Sequence, residues 1–486
     1  MLYLHVSSPS SSEEGFAEYR VEDKPPLQEA IPLGFQHVFA MFLGNVAPPL
    51  ILATTLGLPD GETTFLVQMA LIVAGVATLV QVFTIGPVGA RLPIVMGTSF
   101  AFLGPVLNIG TEFGIAAVFG AALVGAVIEV VFGFSIRPLR PYFPPLVTGI
   151  VIILIGITLI PTGMDYAAGG AESENYGAMI NLGLAFLVLV VTIYCNQFLE
   201  GILKLAAVFV GIVVGYVVAI PLGLVDFSPV ANAGWVTVPV PLKYGISFEP
   251  SAIILIAFIY VVVGVETLGN IGAIVEVEGR SPKERELSGG IMADGFASAF
   301  AAIFNALPNT AFAQNVGLIN LTGVASRYVA GIGGIILVLF GFVPKIGAVI
   351  AAMPDAVLGG GALIMFAMVL ASGFSIVHNN VELTHRNMTI LAVSIGLGVA
   401  VSTRPEALAQ LPSQLELLLE EGILVGGVSA LVLNVVLPGG GVGIGPTDET
   451  AGRIPTPGDR DQDKKQGDDK PAVGSTGKPS ESVAED

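Results

Sequence analysis

The chain alternates long apolar runs with short polar connections. The apolar segments lie at 32–56, 63–85, 94–109, 113–134, 143–160, 178–195, 203–224, 251–268, 290–306, 309–322, 328–343, 355–376, 388–402 and 421–438, fourteen in all. Most have the roughly 17–25 residues that a helix needs to cross about 30 Å of hydrocarbon. The pattern predicts an all-α polytopic membrane protein. The third and tenth segments are short and broken, one by Gly97, Gly104 and Pro105, the other by Pro308 and Gly317. These residues disfavour a continuous helix. Between 406 and 420 the pattern turns amphipathic, with Glu406, Glu416, Glu420 and then Glu421 among leucines, and reads as a stretch lying at the membrane interface.

Composition supports the membrane reading. Apolar residues make up 53% of the chain and charged residues only 12%, where a soluble protein has about 25% charged. Cys195 is the only cysteine, which excludes a disulfide scaffold. A net charge of -18 argues against nucleic acid as a partner. Part of that charge sits in residues 441–486, with 10 Asp/Glu and 6 Lys/Arg in Gly/Pro/Ser-rich text, the composition of a disordered acidic tail. Residues 1–30 are also polar and lack the apolar stretch of a signal peptide.

The basic residues orient the segments. With the N-terminus in the cytoplasm, inside loops hold Arg91, Arg137, Arg140, Lys204, Arg280, Lys283, Arg285, Arg327 and Arg386, nine against three outside, Lys243, Lys345 and Arg404. That is the positive-inside bias, and it puts both termini in the cytoplasm.

An internal repeat is centred on the two broken segments. Gly97-Thr98-Ser99-Phe100-Ala101-Phe102 and Asn309-Thr310-Ala311-Phe312-Ala313-Gln314 both read Thr-x-Phe-Ala, 212 residues apart. Each lies third within its half of seven segments. Seven is odd, so the second half enters the membrane upside down relative to the first. Matched broken segments in inverted repeats mark the binding site of secondary transporters. Non-helical backbone survives at that depth only inside protein or beside a polar cavity.

Polar residues within the apolar segments are the candidates for chemistry. Glu266 follows AIILIAFIYVVVGV; a carboxylate there is costly unless paired or protonated. It can accept N–H groups of a ligand or change protonation during a cycle. Asn270 is one turn later, on the same helix face, where it either bonds Glu266 or lines the cavity. Asp294 reads either as a proton-linked carboxylate or as a helix start beside Gly295. Gln314 carries one donor and one acceptor, which suits a planar heterocycle showing N–H beside C=O, with Phe100 and Phe312 placed to stack on such a ring. His37 is either a pH-sensitive group or a neutral hydrogen-bonder between helices. His378 and His385 alone are too weak a pattern for a metal site. No HExxH, CxxC or GxSxG set is present, so an enzyme is not expected.

At this point the chain resembles the nucleobase–ascorbate transporter family, also called nucleobase/cation symporter-2. The family signature stands here as Gln314-Asn315-Val316-Gly317-Leu318-Ile319-Asn320-Leu321-Thr322-Gly323. The likeness extends to QHVFAMF at 36–42, GARLPIVMGTSFAF at 89–102, ETLG at 266–269 and ADG at 293–295, and spans about 31 to 440. The resemblance implies two inverted seven-segment repeats, with short extended stretches in segments 3 and 10. It implies a core domain from residues 31–140 and 251–345, and a gate domain from 141–250 and 346–440. It also implies a homodimer in membrane lipid, without a cofactor. Glu266 and Gln314 would hold the base, flanked by Phe100 and Phe312, with backbone at Phe100 and Ala313 assisting and Asn270 nearby. Asn315, Thr322 and Gly323 would support the site, and His37 and Asp294 would be polar positions of the core domain.

Gln rather than Glu at 314, and Gly323 before Val-Ala-Ser-Arg, look like the branch that carries xanthine and urate with protons across a bacterial cytoplasmic membrane. One departure is Asn270, where xanthine carriers often have Asp. Uracil or a broader nucleobase range, sodium coupling, an anion channel or exchanger, and a non-transporting receptor are the alternatives.

Overall fold

Helix forms over most of the apolar pattern, and short strands replace it in the third and tenth segments. The computed structural model describes residues 18–139, 144–171 and 173–438. The first 17 residues, Arg140, Glu172 and the tail at 441–486 lie outside the described residues. The first half contains α1 (Leu27–Thr55), α2 (Asp60–Phe83), β1 (Met96–Thr98), a 3-10 turn (Phe100–Phe102), α3 (Leu103–Phe113), α4 (Ile115–Phe134), α5 (Ile136–Leu139), α6 (Pro145–Ala167), α7 (Met179–Phe198), α8 (Ile202–Leu205) and α9 (Ala207–Ala219). A connector carrying α10 (Ser228–Asn232) leads to the second half. That half contains α11 (Pro250–Val277), α12 (Glu284–Ile303), β2 (Asn309–Ala311), α13 (Ala313–Thr322), α14 (Arg327–Gly341), α15 (Pro344–Ala351), α16 (Asp355–Asn380), α17 (His385–Thr403), α18 (Ser413–Leu419) and α19 (Gly422–Val436). Eight of these helices, α1, α2, α4, α6, α7, α11, α16 and α17, are long and apolar enough to cross a membrane. The pair α14 and α15, bent by 83° at their junction, passes the same test together.

The boundaries differ from the sequence expectation at one place that matters. Segment 290–306 is the later part of a helix that already begins at Glu284, where the Glu286 carboxylate accepts the Lys283 N–H at 2.8 Å. The polar text before residue 290 is therefore the first turns of α12. Asp294 stands in its middle, fully buried, and the helix-start reading is overturned. A second correction concerns Glu421. Rather than lying on an exposed amphipathic face, it is 5% exposed at the start of α19, accepting the Asn108 side-chain N–H at 3.3 Å beside Gly104 of α3.

The two halves pack by matching contacts. In the first, α2 lies against α14 and α1 against α14; in the second, α12 lies against α4 and α11 against α4. Likewise α7 packs on α9 as α17 packs on α19, and α16 touches α7 and α9 as α6 touches α17 and α19. The broadest helix contact of all joins α6 to α16. Apolar side chains such as Met179, Phe186 and Phe198 of α7 remain exposed, as a lipid-facing surface allows.

Both broken segments meet in a two-stranded antiparallel ladder, with Met96 opposite Ala311, Gly97 opposite Thr310 and Thr98 opposite Asn309. The ladder keeps step with the repeat: Gly97 corresponds to Asn309 and Thr98 to Thr310, so the pair Gly97–Thr310 is the counterpart of Thr98–Asn309. The halves differ just after it, where the first inserts a 3-10 turn before its helix. Gly97 is required by the close crossing. A Cβ there would lie 2.5 Å from Met41 Cε, 2.7 Å from Phe312 Cε2 and 3.0 Å from Asn45 Oδ1.

At one end of the bundle, residues 19–24 strap the turn between α13 and α14 to the loop before β1. Tyr19 N–H donates to Gly323 O at 3.3 Å, and Ala325 N–H to Tyr19 O at 2.8 Å. Glu22 bridges Arg327 (2.9 Å) and Arg91 (2.9 Å). Arg327 is not a solvent-facing loop residue. It is 7% exposed, donates to Val82 O at 3.1 Å and lies over the Phe83 and Tyr328 rings. Arg327's hydrogen bond, aided by Arg91, holds the Glu22 carboxyl below its ordinary value. A lowered value means the bridge stabilises above the unfolded carboxylate range, near pH 4, and is lost as pH falls through the folded value. Glu22→Gln is therefore expected to loosen the strap at neutral pH, by less than about 1 kcal/mol for a half-exposed carboxylate. Amide exchange at Val324–Arg327 measures this, and parent and variant should converge once the pH has fallen below the folded value of Glu22.

Candidate functional site

Extended backbone buried in a membrane bundle must have every N–H and C=O partnered. Most polar side chains around the ladder serve that end. Asn45 of α1 accepts Thr98 N–H at 2.9 Å and the Thr98 hydroxyl at 3.1 Å. Thr78 of α2 accepts Met96 N–H at 2.9 Å. Gln81 accepts Ala90 N–H at 2.9 Å and donates to Gly290 O at 3.3 Å. Ser298 of α12 accepts Asn309 N–H at 3.0 Å. The ladder's ends close by Ser99 N–H to Pro308 O and Phe312 N–H to Val95 O, both at 3.0 Å.

Several predicted site residues belong to this same framework. Asn270 donates through Nδ2 to Ala311 O at 3.0 Å, so it clamps the end of β2 rather than bonding Glu266. Asn315 donates to the His37 carbonyl at 3.0 Å and lies 3.0 Å from His37 Nδ1. His37 thus joins α1 to α13 as a hydrogen-bonder between helices. Thr322 donates back to Leu318 O at 2.8 Å and accepts Val324 N–H at 3.2 Å. Gly323 takes the left-handed conformation (φ 68°) that ends α13. Both stand at the opposite end of α13 from Gln314, about 12 Å away at 1.5 Å per residue, and their place is the helix terminus.

What is left over defines the site. Glu266 and Gln314 are half-buried, on the adjacent helices α11 and α13, and neither makes a hydrogen bond to a described residue. Glu266 is one turn before Asn270, whose bond to Ala311 holds this face of α11 against the start of α13. Gln314 and the exposed Ala313 form the first turn of α13, where backbone N–H groups have no helical partner. Phe100 opens the 3-10 turn leading into α3 and meets Phe366 of α16 edge-on, ring centres 5.2 Å apart. Phe312, at the N-cap of α13, is wedged along one ring edge, since a Cβ on Gly44 would lie 2.4 Å from its Cε1. The arrangement offers a free carboxyl, a free amide and a half-helix N-terminus at one junction. Such groups can hold a small planar solute by hydrogen bonds.

Asp294 lies behind this junction, accepting a short hydrogen bond from the Thr267 hydroxyl next to Glu266. Thr267 Oγ1 is also 3.5 Å from Thr310 Oγ1 of β2. His378 near the end of α16 and His385 at the start of α17 do not join a metal site. Among the described residues no group of three or more His, Cys, Asp or Glu is placed to hold a metal ion. Sequence reasoning missed Asn45, Thr78, Gln81 and Ser298, and also Glu129 of α4. The signal was present in each case: a polar residue inside an apolar run.

Comparison with known proteins shows the family to which the chain belongs. The profile of a permease family, Xan_ur_permease, matches residues 28–407. The xanthine permease of Bacillus subtilis (strain 168) is 39% identical over 409 residues, 84% of this chain and 93% of its own. The uric acid transporter UacT of Escherichia coli (strain K12) is 37% identical over 414 residues, 84% of this chain and 86% of its own. Among solved structures, the transmembrane domain of a cyanobacterium bicarbonate transporter, BicA, superposes with a TM-score of 0.57 at 14% identity, covering 85% of this chain and all of that domain. That likeness shows the fold alone. By the extent of the profile match and of the shared sequence, the chain belongs to the nucleobase–ascorbate transporter family of membrane permeases.

Proposed function

We propose that the protein is a secondary active transporter that imports an oxidised purine base, xanthine or urate, together with protons. The observation that carries this reading is the pair Glu266 and Gln314. They are left unspent where most neighbouring polar side chains serve the backbone. Glu266 accepts ring N–H groups of the base, and the Gln314 amide reads an adjoining C=O and N–H. The names of the xanthine and uric acid relatives support the substrate class. A proton that enters the core with the base offsets the charge of Glu266 and lowers the cost of carrying it through the membrane.

The movement we propose is an elevator. Segments 1–4 and 8–11 form a core that shifts against a gate of segments 5–7 and 12–14, as two inverted repeats of seven. The matched packing of the two halves supports the repeat. The seam between α11 and the gate helices α6 and α19 supports the sliding, since it is lined by Val147, Thr148, Val151, Phe258, Val262 and Leu431, with few groups to unpair. A homodimer in the bacterial cytoplasmic membrane with both termini inside completes the reading. Asn270 fits proton coupling without an ionisable group there, because only a donor can clamp Ala311 O; an Asp would need a proton to do so.

A bicarbonate transporter shares the fold, but β1 with α3 and β2 with α13 carry no Lys or Arg to hold an anion. The test is uptake of labelled xanthine by cells expressing the chain, competed with urate, uracil, guanine and hypoxanthine, with and without a protonophore. Xanthine or urate should compete best and accumulation should collapse with the protonophore. Uracil competing best would overturn the substrate class. Unchanged accumulation with the protonophore would overturn proton coupling.

A further inference from the structure

Glu129 stands in the middle of α4, in the run Ala126-Val127-Ile128-Glu129-Val130-Val131. It is 0% exposed, and neither carboxyl oxygen has a hydrogen-bond partner among the described residues. A bare carboxylate so placed is prohibitively costly. The neighbouring helix α12 brings Asp294, equally buried. The two helices touch closely around Glu129: a Cβ on Gly295 would lie 2.8 Å from Ala126 O and 2.9 Å from Val130 N. Asp294 is within electrostatic reach of Glu129. One Asp294 oxygen accepts the Thr267 hydroxyl and the other is unpartnered.

Among the described residues no cation balances this pair. From α11, Tyr260 faces Glu129 but donates its hydroxyl to Ala122 O at 3.1 Å, and Glu266 lies within reach of Asp294. From α3 and α5 come only Glu112 and Arg137, both exposed. The charged residues of α2, which packs on α12, are Asp60 and Glu62 in its first turn. Two neighbouring carboxyls without a counter-charge cannot both ionise, so the pair holds at least one proton.

We propose that Glu129 and Asp294 form a proton-binding site between α4 and α12, separate from the carboxyl at Glu266. Thr267 and Thr310 connect it to the broken segment, so its occupancy is linked to movement of β2 and α13. Only that link to the cycle rests on the transporter reading; the bound proton itself does not depend on any substrate.

The test has two arms on the full chain. In infrared spectra of purified protein, the carbonyl stretch of a protonated carboxyl should persist at neutral pH, vanish in Glu129→Gln and shift in Asp294→Asn. In energised vesicles, Glu129→Gln should lower proton-driven accumulation of xanthine by roughly tenfold more than it lowers exchange, a coupling of ordinary size, and flatten its pH profile. A band unchanged in both variants overturns the site. So does full, pH-dependent accumulation by Glu129→Gln, or a sodium requirement that this variant removes, which would make the pair a metal-cation site. Should Glu129→Gln fail to fold, the parent and Asp294→Asn spectra decide. A chain that shows the band but moves no purine would retain the site and overturn the function proposed above.

Discussion

Glu266→Gln is expected to lower purine uptake by at least about 100-fold. A carboxylate that receives two N–H groups makes two charge-assisted hydrogen bonds, each worth about 1.5–3 kcal/mol. The Gln variant keeps one acceptor and turns an N–H donor toward an N–H of the base. Losing one bond and adding a donor clash costs about 3–4 kcal/mol, a factor of several hundred. The fold should persist, because Glu266 has no described hydrogen-bond partner to lose. Uptake and ligand-induced thermal stabilisation, measured side by side, check this. A variant that binds xanthine like the parent would remove Glu266 from the site.

Gly97→Ala should be nearly as damaging, by packing rather than by chemistry. The added methyl meets Met41, Phe312 and Asn45. Met41 ends in a flexible methyl and can yield. Phe312 cannot retreat easily, because its other edge is held at Gly44. Asn45 cannot turn aside without releasing Thr98 N–H. Overpacking of this kind costs about 1–3 kcal/mol, and here the displaced atoms begin α13. We expect a lower melting temperature and roughly a tenfold loss of uptake. Gly183→Ala on α7, where a Cβ would meet nothing, serves as the control. Equal uptake by the two variants would show that the crossing tolerates a side chain.

The helices were legible because lipid demands long apolar runs, and the chain supplies them. The broken segments were legible from Gly97, Pro105 and Pro308. Their joining into a ladder was not, since three residues of strand carry no pattern of their own. The roles of polar residues were the hardest part. Glu266, Asn270, Asp294 and Asn315 look alike in sequence, as polar letters in apolar text. Only the structure separates Asn270 and Asn315, which bond to backbone, from Glu266, which bonds to nothing described. The position of Asp294 turned on the start of α12, six residues before the apolar run begins. Glu129 was overlooked although AVIEVVFGF gives the same signal as the run before Glu266.

The β1–β2 ladder also constrains how the chain is made. Met96–Thr98 pair with residues synthesised more than 200 positions later. Until β2 leaves the ribosome, the backbone of β1 has to wait at membrane depth with its strand partner absent, and lipid offers no substitute. A contact so distant in sequence closes late. The first half is therefore inserted as an unfinished substrate for the insertion machinery, open along that strand, and it is released as a finished core only when the second half arrives.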